Sequence, residues 1–410
     1  MTSDAITTWL RPLQSLLDPT GKIDWRRLNA LATDLDALLI VYPVGADLPA
    51  GAERSRRLQV IRRELAQRGH LDTIGEPAAF AMLAQFVCGY RDIDLRDAVG
   101  LGHGQLIVRH GSTPARQQWI PRLQAGELAG IAVTEAHGGS RPDATRTHAV
   151  PRPDGTWLLS GRKTWISRLT EATVFVVFFR GPDGGLTAAA IDATDSGLRR
   201  HPIPPLGLAG WSWGLLDLDA ATVRPTDVLT GDGMALLRSH FAHYRPLITA
   251  TALAGAAAVF DTVTATLVTR HTIGDLPRLR DSALITIGRT HAQLRTALLG
   301  AAMASHLADT GRDHAESCSA ATKAHGVDTA HQTVAELALL LGATGFQATS
   351  PIAKTRRDLT GLLYADGIHD SLYHAAGKHH VALMRAGSHE GDVEDHNPHQ
   401  SPPNEGRVGH

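Results

Sequence analysis

The 410-residue sequence has only two cysteines, almost no net charge and 5% aromatic residues. Cys88 and Cys318 lie too far apart for a CxxC or metal-type spacing, which argues against a disulfide framework and points to a reducing compartment, the cytoplasm. Lys plus Arg number 40 against 41 Asp plus Glu, so no excess of cations favours nucleic acid or an anionic membrane as a partner. Long hydrophobic runs are also missing. The longest, Ile248 to Phe260, is thirteen residues with two threonines, too short to cross a bilayer and suited to a buried helix. The opening MTSDAITTWLRPLQSLL lacks the basic and apolar regions of a signal peptide and reads as mature protein. The 22 histidines form no convergent pattern with Cys or carboxylates, so no metal site is expected.

A chain of this length with 43% hydrophobic residues can bury the cores of two or three domains. Up to residue 128 its texture is helical: RRLQVIRRELAQRG has apolar residues at helical spacing, and Ser112 ahead of Pro114 reads as a helix cap. From 129 to 231 short apolar or alternating runs (LAGIAVTEA, THAV, TWLLSGRKTW, ATVFVVFFRG, LTAAAID) are separated by turns such as PRPDG and GPDGG, the pattern of a small β-domain. Between 232 and 388 Ala- and Leu-rich segments at roughly 234–270, 279–309, 314–342 and 366–386 predict a four-helix bundle. Residues 389–410 are polar and rich in Gly and Pro, and are expected to be a disordered tail. The fold class is therefore α+β.

Two segments carry chemistry. In VTEAHGGS, Val133 to Ser140, a strand-like run enters a Gly-rich turn whose backbone N–H groups and hydroxyl can cradle a phosphate or the polar edge of a flavin. A plain turn is the competing reading. In GRKTWIS, Gly161 to Ser167, an indole and a hydroxyl two residues apart on one strand face can stack on and hydrogen-bond to a planar heterocycle, though a lone Trp is more often a core residue.

In this order the two segments resemble the paired flavin-binding segments of the acyl-CoA dehydrogenase family, VTEPGAGSD and GxKxWIT. HGSTPARQQWIPRLQAGELAG is similar to that family's last N-terminal helix, RHTIG to its RxxFG segment, LLLGATGF to its GGxGF turn, and RRDLTGLLYADG to its catalytic RDxxxxxIYEG segment. The resemblance covers roughly residues 75–388. It implies an N-terminal helical domain, a middle β-barrel and a C-terminal four-helix bundle, assembled as a homo-oligomer, a dimer or more usually a tetramer. FAD would lie between barrel and bundle, with Thr134 on the flavin, Gly139 and Ser140 on the pyrophosphate side, and Trp165 and Ser167 along the isoalloxazine. Arg270 and Thr272 match the segment that reaches the cofactor of an adjacent subunit, and Gly342 and Gly345 the turn near its adenosine. Arg270 as a solvated helix residue and the glycines as a helix-ending turn remain the plainer readings.

The family's reaction removes the proton alpha to a thioester and passes the beta hydrogen to flavin, so it needs a buried carboxylate base. Counting from Arg357-Asp358 places Asp366, followed by Gly367, at the glutamate position. The plainer reading of Asp366 is a helix cap. Asp is one methylene shorter than Glu, and a misplacement of about 1 Å can cost on the order of a hundredfold in rate. Further departures are Tyr364 set one residue early, Ile368 and Asp370 after the turn, Leu339 where a Gln often binds FAD, Arg141 after Ser140, and His137 inside the Gly-rich turn. Tyr244 fills the position of an alternative base found in some members, and Arg245 follows it as a substrate-cleft residue. The implied function is dehydrogenation or oxidation of an acyl thioester on CoA or an acyl carrier protein, in a specialised pathway, with an electron-transfer flavoprotein or oxygen as acceptor. The alternatives are a flavin-dependent monooxygenase on the same fold and a non-catalytic assembly subunit.

Overall fold

The computed structural model describes residues 4–311 and 314–391; most of the expected tail, 392–410, lies outside them. The helical first part contains a short α1 (Gln14–Leu17), α2 (Trp25–Val41), α3 (Ala52–Gln67), α4 (Ala78–Arg91), α5 (Gln105–His110) and α6 (Thr113–Gln124). Local chemistry starts these helices. The Asp24 carboxylate accepts from the amides of Arg26 and Arg27, and the Ser112 hydroxyl from that of Ala115, satisfying first-turn donors.

Seven strands follow: β1 (Leu128–Ala132), β2 (His148–Pro151), β3 (Trp157–Ser167), β4 (Ala172–Arg180), β5 (Leu186–Asp192), β6 (Leu198–Pro202) and β7 (Trp213–Val223). They pair in the order β1-β4-β2-β3-β7-β6, with β5 also on β4. The expected barrel is open: β2 joins β4 through the single pair His148–Arg180, and among the described residues β5 and β6 do not pair with each other. β4 explains its own unbroken apolar sequence. Phe175, Val177 and Phe179 enter a core with Leu159 and Leu216, while Val174, Val176 and Phe178 face Trp119, Leu123 and Leu237 on the other side. A strand covered on both faces has no polar alternation.

The last part consists of α7 (Gly233–Thr272), α8 (Asp281–Thr310), α9 (Ala315–Leu340), α10 (Pro351–Tyr364) and α11 (His369–Gly391). α10 was not anticipated as a helix; Ser350 caps it ahead of Pro351. By length and composition α7 qualifies to cross a membrane, but it is largely buried inside the protein, as expected for Ile248 to Phe260. Small residues let its neighbours close in. A Cβ on Gly89 of α4 would lie 2.8 Å from the Thr251 carbonyl, and one on Gly326 of α9 2.4 Å from the Thr249 methyl. One hydrophobic core runs from Trp9, Leu35 and Phe86 through Leu253 to Leu337 and Leu359, so the first helices and the bundle are packed as a unit.

A buried ionic cluster links the parts. Lys354 Nζ lies 2.6 Å from Asp92 and from Asp358 and 3.0 Å from Asp94, and Arg54 contacts Asp94 at 3.1 Å. The three carboxylates are close enough to suit a metal ion, but the Lys354 ammonium already bonds to each of them. We expect Lys354→Met, which strands these acids, to lower stability by about 3–5 kcal/mol in chemical denaturation.

Candidate active site

The two Gly- and Trp-containing segments meet through a buried ion pair. Lys163, fully buried in β3, places Nζ 2.8 Å from Glu135 and 2.9 Å from the Thr145 hydroxyl. The Glu135 carboxylate also accepts from the Thr147 hydroxyl at 2.7 Å and from the amides of Arg146 and Thr147. These bonds hold its pKa below the ordinary range although burial opposes them. The Thr134 carbonyl accepts from the Thr164 amide at 2.8 Å. With the start of the Gly-rich turn fixed on β3, Gly138 takes a φ of 108°, and a Cβ on Gly139 would come 3.0 Å from the Thr134 hydroxyl. Ser140 Oγ lies 2.9 Å from Ser371 Oγ, joining this turn to the start of α11.

Trp165 sits in a bulge, with φ 57° and the β3–β7 register shifted between Lys163 and Ile166. Its indole is 58% exposed while Thr164 and Ile166 are buried, and Ser167 is half-buried opposite Trp213. The bulge, more than simple alternation, turns the ring outward. An exposed aromatic face beside the Thr134 and Ser167 hydroxyls and a tight glycine turn fits a planar cofactor with a polar edge.

Asp366 follows α10 with φ 58°, and Gly367 has φ 117°. Helix α11 begins at His369, whose Nδ1 lies 2.7 Å from the Asp328 carboxylate. The backbone of this turn is held instead. Arg245 Nε donates to the Asp366 carbonyl at 3.1 Å, and Lys323 Nζ to the Gly367 and Leu362 carbonyls at 2.8 and 2.9 Å. Burial pushes the Asp366 pKa up, against the pull of Lys323, Arg168, Arg245 and Arg96. Burial also lowers that of Lys323 to about 7. Arg168, next to Ser167, is buried and bonded to Asp97 at 2.5 Å, so its charge connects the Trp165 segment to Asp366. Sequence reasoning missed Arg168, Lys323 and Arg96 because burial, which makes them matter, leaves no mark in a motif.

A cavity of about 260 Å³ lies between the first helices and α7 and is lined by Arg96, Gln85, Arg109, His240 and Tyr244. Tyr244 stacks with His103 and His240 at centroid separations of 4.4 and 5.3 Å. His103 Nδ1 and His240 Nε2 are 3.0 Å apart, and burial lowers both pKa values, that of His240 to about 3, so both rings are neutral near pH 7.

Thr134, Gly139 and Ser140 thus lie on a turn fixed to β3, the strand of Trp165 and Ser167; Ser140 reaches the start of α11 through Ser371, and Arg245 holds the Asp366 carbonyl just before that helix. The remaining candidates lie elsewhere in this chain. Arg270 and Thr272 end α7, about 37 Å along the axis from Arg245 at 1.5 Å per residue. Gly342, φ 61°, follows α9, and Gly345 is buried where a Cβ would meet the Ala338 carbonyl at 2.3 Å.

Family models match in the same order: the acyl-CoA dehydrogenase middle domain over residues 130–221 and the acyl-CoA dehydrogenase C-terminal domain over 231–377. The chain belongs to the acyl-CoA dehydrogenase family. It is 28% identical over 259 residues to a probable short/branched chain specific acyl-CoA dehydrogenase of Dictyostelium discoideum, a match covering 62% of each chain. It is 27% identical to a glutaryl-CoA dehydrogenase of Desulfococcus multivorans, over 65% of this chain and 70% of that one. The fold matches the Mycobacterium smegmatis glutaryl-CoA dehydrogenase solved with FADH2 (TM-score 0.74, 21% identity, 88% and 96% covered). It also matches the butyryl-CoA dehydrogenase of Megasphaera elsdenii (TM-score 0.74, 16% identity, 87% and 98% covered). Family membership thus agrees with the three-part architecture and with the sequence resemblance.

For this family member, Lys323 gives a pH test with a definite sign. In the unfolded chain it titrates near 10.5 and in the fold near 7, so between those values the unfolded state binds the extra proton and this group's contribution to stability rises with pH. Lys323→Met cannot titrate. Comparing denaturation at pH 7 and pH 10, the stability difference should shift toward wild type by at least ~1.4 kcal/mol, a tenfold change in proton affinity.

Proposed function

We propose that the protein is an FAD-dependent oxidoreductase that acts on CH–CH groups and forms an α,β-unsaturated acyl thioester, with Asp366 as the base. The observation that carries this reading is the Asp366 turn. A carboxyl whose pKa is raised by burial sits on a backbone braced by Arg245 and Lys323, and the charge of Arg168, next to Ser167, acts on it.

Thr134, Ser140, Trp165 and Ser167 would hold the flavin, which when bound accepts the beta hydrogen as hydride. Asp366 takes the alpha proton, and its raised pKa makes it a better acceptor near neutral pH. Lys323 and Arg245 fix where the carboxyl starts and, with Arg168 and Arg96, stabilise its ionised form before substrate binds. Family membership and the named relatives support this reading. The acyl group would be carried on CoA or a carrier protein in a specialised pathway, and electrons would leave to an electron-transfer flavoprotein or oxygen. The two free thiols fit a cytoplasmic site.

Asp366→Asn keeps size and should keep thioester binding while slowing anaerobic flavin reduction by at least ~10²-fold. Reduction at the wild-type rate by the best thioester would favour the monooxygenase alternative, which does not use this carboxylate. Arg270 and Thr272 would serve a neighbouring subunit's cofactor, which requires a homo-oligomer. Arg270→Ala should retain the fold and lose FAD on gel filtration, whereas a flavin-replete wild-type monomer in sedimentation would contradict the assignment.

A further inference from the structure

Helix α9 does more than supply Lys323. Five residues on, the Asp328 carboxylate lies 2.7 Å from His369 Nδ1 and accepts from the Tyr373 hydroxyl at 3.2 Å, so it reaches two residues at the start of α11. An ionised carboxylate only accepts, so Nδ1 is the donor and the neutral ring keeps its lone pair on Nε2. Burial and the charge of Lys323 lower the His369 pKa against the pull of Asp328 and Asp370, which keeps the ring neutral. Nε2 is buried without a hydrogen-bond partner, and the residue as a whole is 9% exposed. A ring kept for packing alone would leave that cost unanswered, because an apolar side chain fills the space with no polar atom to satisfy. What the histidine adds is the Nδ1 bond, which is short and made to a charged acceptor, the stronger kind.

His369 stands three residues after Asp366, whose φ of 58° persists only where the surroundings over-determine it. Helix α9 meets this stretch on both sides. Before the turn, His331 Nε2 lies 3.3 Å from Thr360 Oγ1 and Lys323 bonds to the Leu362 carbonyl; within it, Lys323 bonds to the Gly367 carbonyl. After it, Asp328 takes His369, and Leu372 is buried against Ala320 and Ala324 so near the turn that a Cβ on Gly367 would lie 2.7 Å from its side chain. We propose that His369 is a positioning residue for Asp366: its bond to Asp328 locks the start of α11 on α9 and so fixes where the carboxyl stands. The inference rests on the reading of Asp366 as the base. It requires no contact between the histidine and substrate or flavin.

The test uses FAD-loaded full-length protein and anaerobic flavin bleaching by butyryl-CoA, isobutyryl-CoA and hexanoyl-CoA, with the fastest of the three carried through a pH series. His369→Leu should slow the limiting rate by at least ~10-fold, part of the roughly hundredfold that a displacement of about 1 Å costs, with FAD retained and thioester Kd unchanged. The carboxyl of a loosened turn is better hydrated and its pKa falls, so the acid limb of the rate profile should move to lower pH. His369→Asn places an amide N–H where Nδ1 stands and should recover part of the rate. Combined with Asp328→Ala, His369→Leu should be no slower than the slower single variant. Hydrogen exchange over residues 362–372 should quicken in either single variant, and thermal melting reports folding. A folded His369→Leu with the wild-type rate and acid limb overturns the proposal, as do additive effects in the double variant; where His369→Leu does not fold, Asp328→Ala with the wild-type rate and acid limb does so. Bleaching lost in Asp366→Asn yet unchanged in His369→Leu keeps the base and removes the positioning role. If none of the three thioesters bleaches wild type, or Asp366→Asn bleaches at the wild-type rate, the base reading fails instead and exchange decides the clamp: quicker in His369→Leu keeps it, unchanged overturns it.

Discussion

The first helices, the sheet and the bundle converge on the Lys354 ammonium, enclosed by Asp92, Asp94 and Asp358. Two of these acids lie just after α4 and the third in α10, so the ionic contact joins segments more than 250 residues apart in sequence. The segment before β7 closes over it: Leu208 donates its amide to Asp358 at 2.7 Å, Gly210 to Asp94 at 3.1 Å, and the Trp211 indole to the Asp94 carbonyl at 2.9 Å. First helices, sheet and bundle are tied at one point where water is excluded and ionic attraction is least screened. Arg54 adds a second cation and satisfies its remaining donors on the Val44, Gly45 and Leu48 carbonyls.

The turn after α4 carries this anchoring into the site. Asp92 and Asp94 face Lys354, while Arg96 and Asp97, on the same short helical turn, face the cavity and Arg168. Arg168 extends the chain of charges to Asp366, and Tyr244 on α7 is also within its influence. The charge around Asp366 is therefore set by side chains that arrive from three parts of the chain, none of which is a complete site alone.

This arrangement explains what was legible in the sequence. The glycine turn and the GRKTWIS strand could be read because their chemistry is local: backbone amides, a hydroxyl and an aromatic ring within a few residues. Trp165 could be read as a ring able to stack on a planar heterocycle, but the bulge that exposes it could not be, since a register shift belongs to the pairing with β7. β6 and β7 went unread because LRRHP and WGLLDLDAATV are polar or mixed, and their strand character comes from pairing with each other and β3. α10 was hidden by polar residues, including the Lys354 and Asp358 that form the buried cluster. Lys323 and Arg96 stand outside every motif read from the sequence. Only long-range packing shows that one holds the Asp366 turn and that the other is buried with terminal nitrogens lacking a hydrogen-bond partner among the described residues.

The shortened base belongs with the backbone that carries it. Positive φ is strained for most L-residues, and Asp accepts it more readily than longer side chains because its short polar group can be accommodated locally. Asp366 at φ 58° and Gly367 at φ 117° carry the chain from α10 to α11. Arg245 and Lys323 grip its carbonyls, not its carboxylate, which leaves the carboxyl oxygens free for a substrate proton while their charge still favours the ionised form. A backbone held in the left-handed region and gripped by Arg245 and Lys323 sets where the carboxyl starts, so side-chain length and turn geometry have to be considered as one feature.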